Sequence, residues 1–394
     1  MKRVGLIINS LSGGGAERVV CTLANHWAES GNAEVFILSM SGEQAAFSLH
    51  DKVHIDSIWS GSEKTGLSAA IRSRGAARAI RQWRRDNRIE AAISFLQRAN
   101  FANVLAGSGP SGTHGRTVIS QRNVVTYAYP KFSPGGILGR LFIKRYYSRA
   151  DCIVCNSPGV ADSLGEMGVR SDLCTAVGNP QNLPEIRSAS TRGESRLWRS
   201  NSKLRLIAIG RLIEQKAYDV LIPALKELAR RVDFECLILG RGPLQSKLER
   251  QRDRAGLTNH ITFYGWVDNP FTALNESDIF LLPSRWEGFG NVLLEAMALG
   301  KPVVAADCPG SPRWLLQDGR SGFLFENENP QSLYKALEPL ALEESMRRDY
   351  GRRAERRAED FSVEAMAREY WEILFPEEAD NQPAGNPKSK QSAL

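Results

Sequence analysis

The feature that most restricts what this chain can fold into is a twofold recurrence. Twice, a short apolar run ends in a glycine-containing turn and is followed by further apolar runs separated by helical patterns. The first half offers VGLIIN (4–9), EVFILS (34–39), AAISFL (91–96), TVIS (117–120) and CIVCN (152–156) as strands. The second half restarts at LRLIAIG (204–210), with a helix from about Tyr218 to Arg231. It continues with FECLILG (234–240), HITFYG (260–265), DIFLLPS (278–284), PVVAAD (302–307) and GFLF (322–325). Short apolar runs alternating with helices are the signature of parallel α/β architecture. The expected fold is therefore α/β, with two Rossmann-like parallel-sheet domains in succession.

A chain of 394 residues is long enough for two such domains. The first is placed at 1–182. Residues 183–203, containing EIRSASTRGESRLWRSNSK, are polar and aperiodic and read as the linker. The second domain is placed at 204–361. Residues 362–375 carry Met366, Tyr370 and Ile373 at helical spacing, and this helix is expected to pack back on the first domain. The tail 376–394 has almost nothing to bury and is expected to be disordered.

No run approaches the ~20 apolar residues of a membrane-spanning helix. The apolar part of MKRVGLIINS stops at Asn9, which suits a first buried strand better than a signal peptide. The expected location is the cytoplasm, with peripheral attachment to the inner face of the cell membrane. Cys21, Cys152, Cys155, Cys174, Cys236 and Cys308 are scattered, and a single C-x-x-C inside a strand is read as buried free thiols. The net charge of +7 is uneven: between Lys64 and Arg88 eight basic residues face one aspartate. Arg74, Arg78, Arg81, Arg85 and Arg88 recur as one helical stripe, with Ala69, Ala76, Ile80 and Trp83 opposite. Segment 64–88 therefore suits an anionic membrane surface, or a helix that packs on its own domain with a solvated back; one helix can do both. It lacks the interleaved aromatics of a nucleic-acid site, so no nucleic-acid partner is expected.

The chemistry concentrates in PSRWEGFGNVLLEAMALGKPVV (283–304). A strand ends near Ser284 and a helix starts near Asn291, with Gly288 and Gly290 letting the backbone turn sharply between them. Free N–H groups at the helix start form an anion- or hydroxyl-binding cradle, and strand carboxyl ends are where open α/β sheets bind ligands. Glu287 and Glu295 stand eight positions apart and can face one site, where carboxylates suit the vicinal diols of ribose and hexoses. An unpaired Glu295 inside the apolar helix LLEAMALG would otherwise be costly.

This stretch resembles the E-x7-E signature of glycosyltransferase family 4, whose GT-B fold sets two Rossmann-like domains across a cleft. The resemblance covers nearly the whole chain. It implies that Glu287 contacts the donor sugar, that Gly288, Phe289, Gly290 and Asn291 hold sugar and phosphate through backbone amides, and that Glu295 takes the ribose hydroxyls. A second motif, GRLIEQKAYDVLIPAL (210–225), brings Gly210, Arg211 and Lys216 to a helix start, where cations neutralise a diphosphate. It resembles the family's G-R-L…K segment, which implies a donor pyrophosphate on Arg211 and Lys216; Ala217 departs from the glycine common in relatives. Glu287, Arg211 and Lys216 form the expected catalytic set. Gly240, in GRGP (240–243), and Val267 are candidates for contacts near the base, with an ordinary turn as the competing reading for each.

In the first domain SGGGAERVV (12–20) supplies Gly13, Gly14 and Gly15 at a helix start. It is neither G-x-G-x-x-G nor a Walker loop. The resemblance turns Gly14 and Gly15 toward the donor phosphates and Gly13 toward the acceptor. The loop QRNVVTYAYP (121–130) approaches the acceptor in relatives, so Arg122 becomes an acceptor-side candidate for an acidic or phosphate-bearing group. His114 precedes its strand and is read as structural.

No D-x-D occurs, so no metal site and no cofactor are expected, and a nucleotide-diphosphate sugar serves as co-substrate. The resemblance implies retention of configuration and a glycan acceptor, lipid-linked by its likeness to bacterial enzymes of surface-glycan synthesis. A UDP-sugar is the favoured donor. Two other readings stay open: a non-catalytic nucleotide-sugar-binding subunit, and a GT-B 2-epimerase, which would need histidines that the motifs lack.

Overall fold

The computed structural model describes residues 1–42, 45–59, 69–107, 115–193, 196–199 and 203–376, with side chains in the helix beginning at Ala69 described from Arg74. His114, Lys64, parts of the linker and the tail from residue 377 lie outside the described residues.

Among the described residues thirteen strands form two sheets. The first sheet contains β1 (Lys2–Ile8), β2 (Ala33–Ser39), β3 (Val53–Ser57), β4 (Ala91–Phe95), β5 (Arg116–Gln121), β6 (Cys152–Cys155) and β7 (Cys174–Ala176), in the order β3-β2-β1-β4-β5-β6-β7. The second contains β8 (Leu204–Ile209), β9 (Phe234–Leu239), β10 (Ile261–Gly265), β11 (Ile279–Leu282), β12 (Val303–Asp307) and β13 (Phe323–Glu326), in the order β10-β9-β8-β11-β12-β13. The second sheet is parallel throughout. In both sheets the first strand lies between the second and the fourth in chain order, the doubly wound arrangement. The order reverses between β1 and β4, and again between β8 and β11, which marks where ligands bind.

By packing, the chain forms two compact units. One comprises Met1–Ser120, Arg149–Ile153 and the chain from Glu364; the other comprises Gln121–Ser148 and Val154–Val363. In the second unit the helix Tyr218–Leu228 places Leu221, Leu225 and Leu228 at spacings of four and three residues, all fully buried against Leu206, Cys236 and Ile238. Each buried leucine contributes about 1.5–3 kcal/mol. Strand β9 is buried along its whole length, and Glu235 within it is satisfied by the Arg199 amide at 2.9 Å.

Several elements differ from the sequence reading. Strand β3 exposes all but Val53, so it carries no apolar run to reveal it, and β7 is only three residues long. Within the expected linker, Leu183–Ser190 is a helix; Asn182 caps it by accepting from the Glu185 amide, and a proline stands in its first turn.

The arginine stripe is not uniform. In the helix Ala69–Asp86, Arg74, Arg78 and Arg85 are exposed and Ala76, Ile80 and Trp83 are buried. Arg81, however, turns inward and donates to the carbonyls of Leu105 and Ala106 at 3.0 Å, covering the last turn of the helix Gln97–Gly107. Arg84 is wholly buried and donates to the Thr117 hydroxyl at 2.9 Å and the Gly115 carbonyl at 2.8 Å. Burial pulls its pKa down to about 10, against the opposing pull of Asp151.

The helix Val363–Leu374 buries Met366, Ala367, Tyr370 and Leu374. Within the first unit, the Trp27 indole donates to the Ala367 carbonyl and packs edge-on against Trp371, and Arg116 donates to the Ile373 carbonyl at 2.8 Å.

Candidate functional site

The site in the second unit grows from the carboxyl ends of β8 and β11, the two strands that flank the reversal of order. After β8 the chain turns at Gly210 and Arg211, passes through a single helical turn (Glu214–Lys216), and enters the helix Tyr218–Leu228. Ala217 joins the two at φ 50°, ψ 37°, a left-handed conformation that costs an alanine about 1–2 kcal/mol. That strain is kept where Lys216 must be aimed. After β11 the chain runs through Ser284 to Glu287 and enters the helix Asn291–Ala298 at Gly290, whose φ is 71°.

These two loops meet at one ion pair. Lys216 Nζ lies 2.5 Å from Glu287 Oε1, and the Ser284 hydroxyl donates to the same oxygen at 2.7 Å. The Glu287 side chain is 6% exposed and the Lys216 side chain 15%. A pair so withdrawn from water is expensive to break, because either partner would then stay buried alone. Burial is also the main reason that the neighbouring Tyr218 hydroxyl and Cys308 thiol are pushed up, with the Glu287 charge adding to it, so both remain neutral beside the clamp.

The surrounding framework is stitched by side chains that the sequence reading passed over. Arg285 grips Asp219 with two hydrogen bonds, 2.7 and 3.1 Å, reaches Glu328 at 2.5 Å and donates to the Glu214 carbonyl at 2.6 Å. Its backbone amide donates to Gln215, whose own side chain donates to the Trp286 carbonyl at 2.9 Å. Bidentate pairing of this kind fixes geometry as well as adding energy. So the two residues that precede Glu287 are held by the loop that carries Lys216.

The other expected residues fall as follows. Arg211 is exposed, and no ion pair to it is seen among the described residues. The amide of Gly210 donates to Leu239, and that of Gly240 to Gly265, so both turns sit at the same sheet edge. Val267 is half-buried beyond β10. Phe289 is buried and packs edge-on against Trp314 and Phe361, and its carbonyl accepts from the Ser311 hydroxyl. The Asn291 side chain accepts from Asn179 at 2.6 Å. Glu295 is buried in the helix that Gly290 starts. Arg122, expected to present itself to an acceptor, is instead buried and donates to the Asn179 side chain, while its carbonyl accepts from Asn156 at 2.9 Å. Gly288 lies so close that a Cβ there would sit 2.2 Å from the Arg122 carbonyl oxygen. In the first unit Gly13 and Gly14 have φ 115° and 159°, Gly14 caps the helix Gly15–Glu29, and the Glu17 carboxylate folds back over Gly14.

Ser284 was legible as a hydroxyl three residues ahead of Glu287. Asn179 and Asp219 gave no local signal, since their partners are distant in sequence. Among the described residues no three histidine, cysteine or acidic side chains are grouped to hold a metal ion.

Known proteins resemble this chain in sequence and in fold. The chain fits the family description Glycosyltransferase Family 4 over residues 13–183 and Glycosyl transferases group 1 over residues 195–357. It is 28% identical to the N-acetylgalactosamine-N,N'-diacetylbacillosaminyl-diphospho-undecaprenol 4-alpha-N-acetylgalactosaminyltransferase of Campylobacter jejuni, over 95% of this chain and 100% of that one. It is also 28% identical to the lipopolysaccharide core biosynthesis glycosyltransferase LpsE of Rhizobium meliloti, over 58% of this chain and 65% of that one. In structure it resembles the Anabaena HepE protein solved with UDP, with a TM-score of 0.74 and 20% identity over 95% and 99% of the two chains. Family models matching along both halves show that this chain is a glycosyltransferase belonging to family 4, and its two doubly wound sheets have the GT-B fold.

Proposed function

We propose that the enzyme transfers a hexose or N-acetylhexosamine from a UDP-sugar to a lipid-linked glycan, with retention of configuration, in lipopolysaccharide or related glycan synthesis. The observation that carries this reading is the buried Lys216–Glu287 pair at the carboxyl ends of β8 and β11. In it Glu287 orients the donor sugar through its hydroxyls. Lys216 and Arg211 neutralise the charge that develops on the departing diphosphate, where fixed cations act most strongly in a dry site. Glu295 takes the ribose. The acceptor hydroxyl attacks the anomeric carbon on the face that the leaving group vacates. The carbon–oxygen bond to phosphate breaks, and the acceptor proton passes to a phosphate oxygen, so no side-chain base and no metal ion is required. The lipid-linked acceptor is supported by the Campylobacter relative, whose substrate is a diphospho-undecaprenol saccharide. The choice of UDP is supported by HepE, solved with that nucleotide.

Lipid-linked acceptors sit at a membrane, and two surfaces suit docking there. One is the exposed set Arg74, Arg78 and Arg85. The other is the helix Pro134–Tyr147, which leaves Ile137, Leu138, Leu141 and Phe142 exposed next to Lys144 and Arg145, with Phe132 97% exposed just before it. Apolar side chains beside arginine and lysine are the composition of a helix lying in a membrane interface. No described helix is long and apolar enough to cross one.

Flotation with vesicles of phosphatidylglycerol and phosphatidylethanolamine tests this, with pure phosphatidylcholine vesicles as control. Binding to the anionic vesicles is expected to fall at least tenfold in Arg74→Gln/Arg78→Gln/Arg85→Gln, and again in Leu138→Ser/Leu141→Ser. Unchanged flotation of both variants would remove the membrane role.

A further inference from the structure

The helix Glu344–Ala358 carries six arginines against three carboxylates. Arg353 and Arg357 stand four positions apart, and so do Arg352 and Arg356, a spacing at which like charges repel along a helix. The carboxylates answer only part of this charge. Glu344 pairs with Arg348 at 2.7 Å, Asp349 is shared by Arg352 and Arg353, and Glu355 reaches Arg187 at 3.5 Å. Arg356 is exposed, and no ion pair to it is seen among the described residues.

This helix and the turn Gln317–Gly319 line a groove of about 380 Å³, into which Arg320, Arg353, Arg356 and Arg357 converge. Among the described residues that line it, Asp360 is the one carboxylate, and Arg357 takes it at 2.7 Å. Arg357 is also fixed from behind: it donates to the carbonyls of Trp314 and Leu315 at 3.2 Å and lies over the Phe361 ring at 4.6 Å. Arg320, like Arg356, is exposed with no ion pair seen among the described residues. The turn that delivers it is strained, with Gln317 and Asp318 both left-handed at φ 50° and 55°. Next to Arg320, the buried Ser321 hydroxyl donates to the Gln317 side chain at 3.0 Å and adds a polar wall.

We propose that this groove binds the phosphate group of a soluble phosphate ester of sugar-phosphate size. Guanidinium forks meet phosphate oxygens two at a time, and an ester carrying about two negative charges relieves the repulsion among the four arginines. The volume is that of a small-molecule site. No apolar side chain is among the described residues that line it, in contrast to the exposed Leu138 and Leu141 of the helix Pro134–Tyr147, so a dissolved ester suits it better than a lipid surface. Neither Arg211 nor Lys216 lines the groove, which makes it a second anion site on the unit that carries the clamp.

Calorimetric titration of the full-length protein with UDP present tests this, using inorganic phosphate, glucose 6-phosphate and, as the neutral control, glucose. Both phosphates should bind saturably and glucose should not. Arg320→Gln/Arg356→Gln should weaken that binding by roughly tenfold or more, since two charge-assisted contacts are lost. Arg348→Gln/Arg352→Gln removes equal charge from the same surface outside the groove and should change it by less than about twofold. If the first double variant does not fold, Arg356→Gln alone replaces it, with a loss of roughly threefold expected. Absence of saturable phosphate binding in the wild type would overturn the proposal. Equal weakening in the two double variants would mean diffuse surface charge and overturn it as well. Binding unchanged in both would put the phosphate elsewhere, since Arg211 and Lys216 are intact in every variant. Flotation with phosphatidic acid vesicles completes the test. Vesicle binding that Arg320→Gln/Arg356→Gln abolishes, without any binding of glucose 6-phosphate, would put a lipid headgroup in the groove in place of a soluble ester.

Discussion

Glu287→Gln should reduce kcat/KM for sugar transfer by roughly 10²–10³-fold, the range seen when one preorganised electrostatic contact to a transition state is removed. Glutamine keeps the shape of the side chain. It loses the negative charge that Lys216 Nζ meets at 2.5 Å and the strong acceptor oxygen that Ser284 meets at 2.7 Å. The lysine is then left 15% exposed without its counter-charge. Breaking a buried pair from one side costs about 3–5 kcal/mol, and less here because Lys216 can turn partly to water. A second change separates the two effects. In Glu287→Gln/Lys216→Met the orphaned charge is gone, so melting should recover part of what the single variant loses. Transfer should stay at or below the level of the single variant, since both donor contacts are then absent. Steady-state kinetics with a UDP-sugar and calorimetry on the same three proteins give both readouts. Recovery of stability together with recovery of transfer would show that Glu287 serves the fold alone.

Gly310→Ala should be among the most destabilising single changes in the second unit. Gly310 has φ 124°, and a Cβ there would sit 1.7 Å from the carbonyl oxygen of Glu287 and 2.7 Å from its carbonyl carbon. Those atoms are backbone, so no side-chain rotation relieves the clash. The same residue is pinned through its amide, which donates to the Pro309 carbonyl at 3.0 Å. The chain must shift or the region unfold, at a cost of about 3 kcal/mol or more. For a domain of this size that lowers the melting temperature by roughly 6–12 °C. Gly319→Ala is the control. Its φ of 95° is also left-handed, but nothing lies within 4 Å of its Cβ position. Only conformational strain of about 1–2 kcal/mol is then expected. Equal losses in the two variants would mean that the contact with Glu287 is not what Gly310 protects.

The fold was legible wherever a strand is buried on both faces. β1, β9 and β11 each appear in the sequence as a continuous apolar run because helices cover both sides of a parallel sheet. β3 escaped notice for the opposite reason: an edge strand whose residues after Val53 face water has no apolar pattern to display. The arginine-rich helix shows a different limit. Periodicity assigned Arg81 to the solvent stripe, yet its long side chain reaches back to two carbonyls at the end of a neighbouring helix. A position on a helical wheel fixes where the Cα points and not where a guanidinium ends.

The candidate site divides along the same line. Lys216 and Glu287 were visible because each lies beside glycine turns and a helix start. The meeting of the two across 71 positions is a property of β8 and β11 lying side by side. The grip of Arg285 on Asp219 depends on that adjacency as well, and Asn179 is brought to Asn291 from 112 positions away. Arg122 was singled out for its charge, but burial beside Asn179 and Gly288 gives it a role inside the framework of the site.

The central claim is that the clamp holds a nucleotide sugar. The most direct measurement is the melting temperature of the wild type and Glu295→Ala against UDP-, GDP- and ADP-sugars. A ligand that binds only the folded protein, present at 100 times its Kd, adds about 2.7 kcal/mol. One nucleotide class, with UDP-sugars expected, should therefore raise the wild-type melting temperature by several degrees, and Glu295→Ala should lose most of that rise. No stabilisation of the wild type by any of the nucleotide sugars would contradict the account.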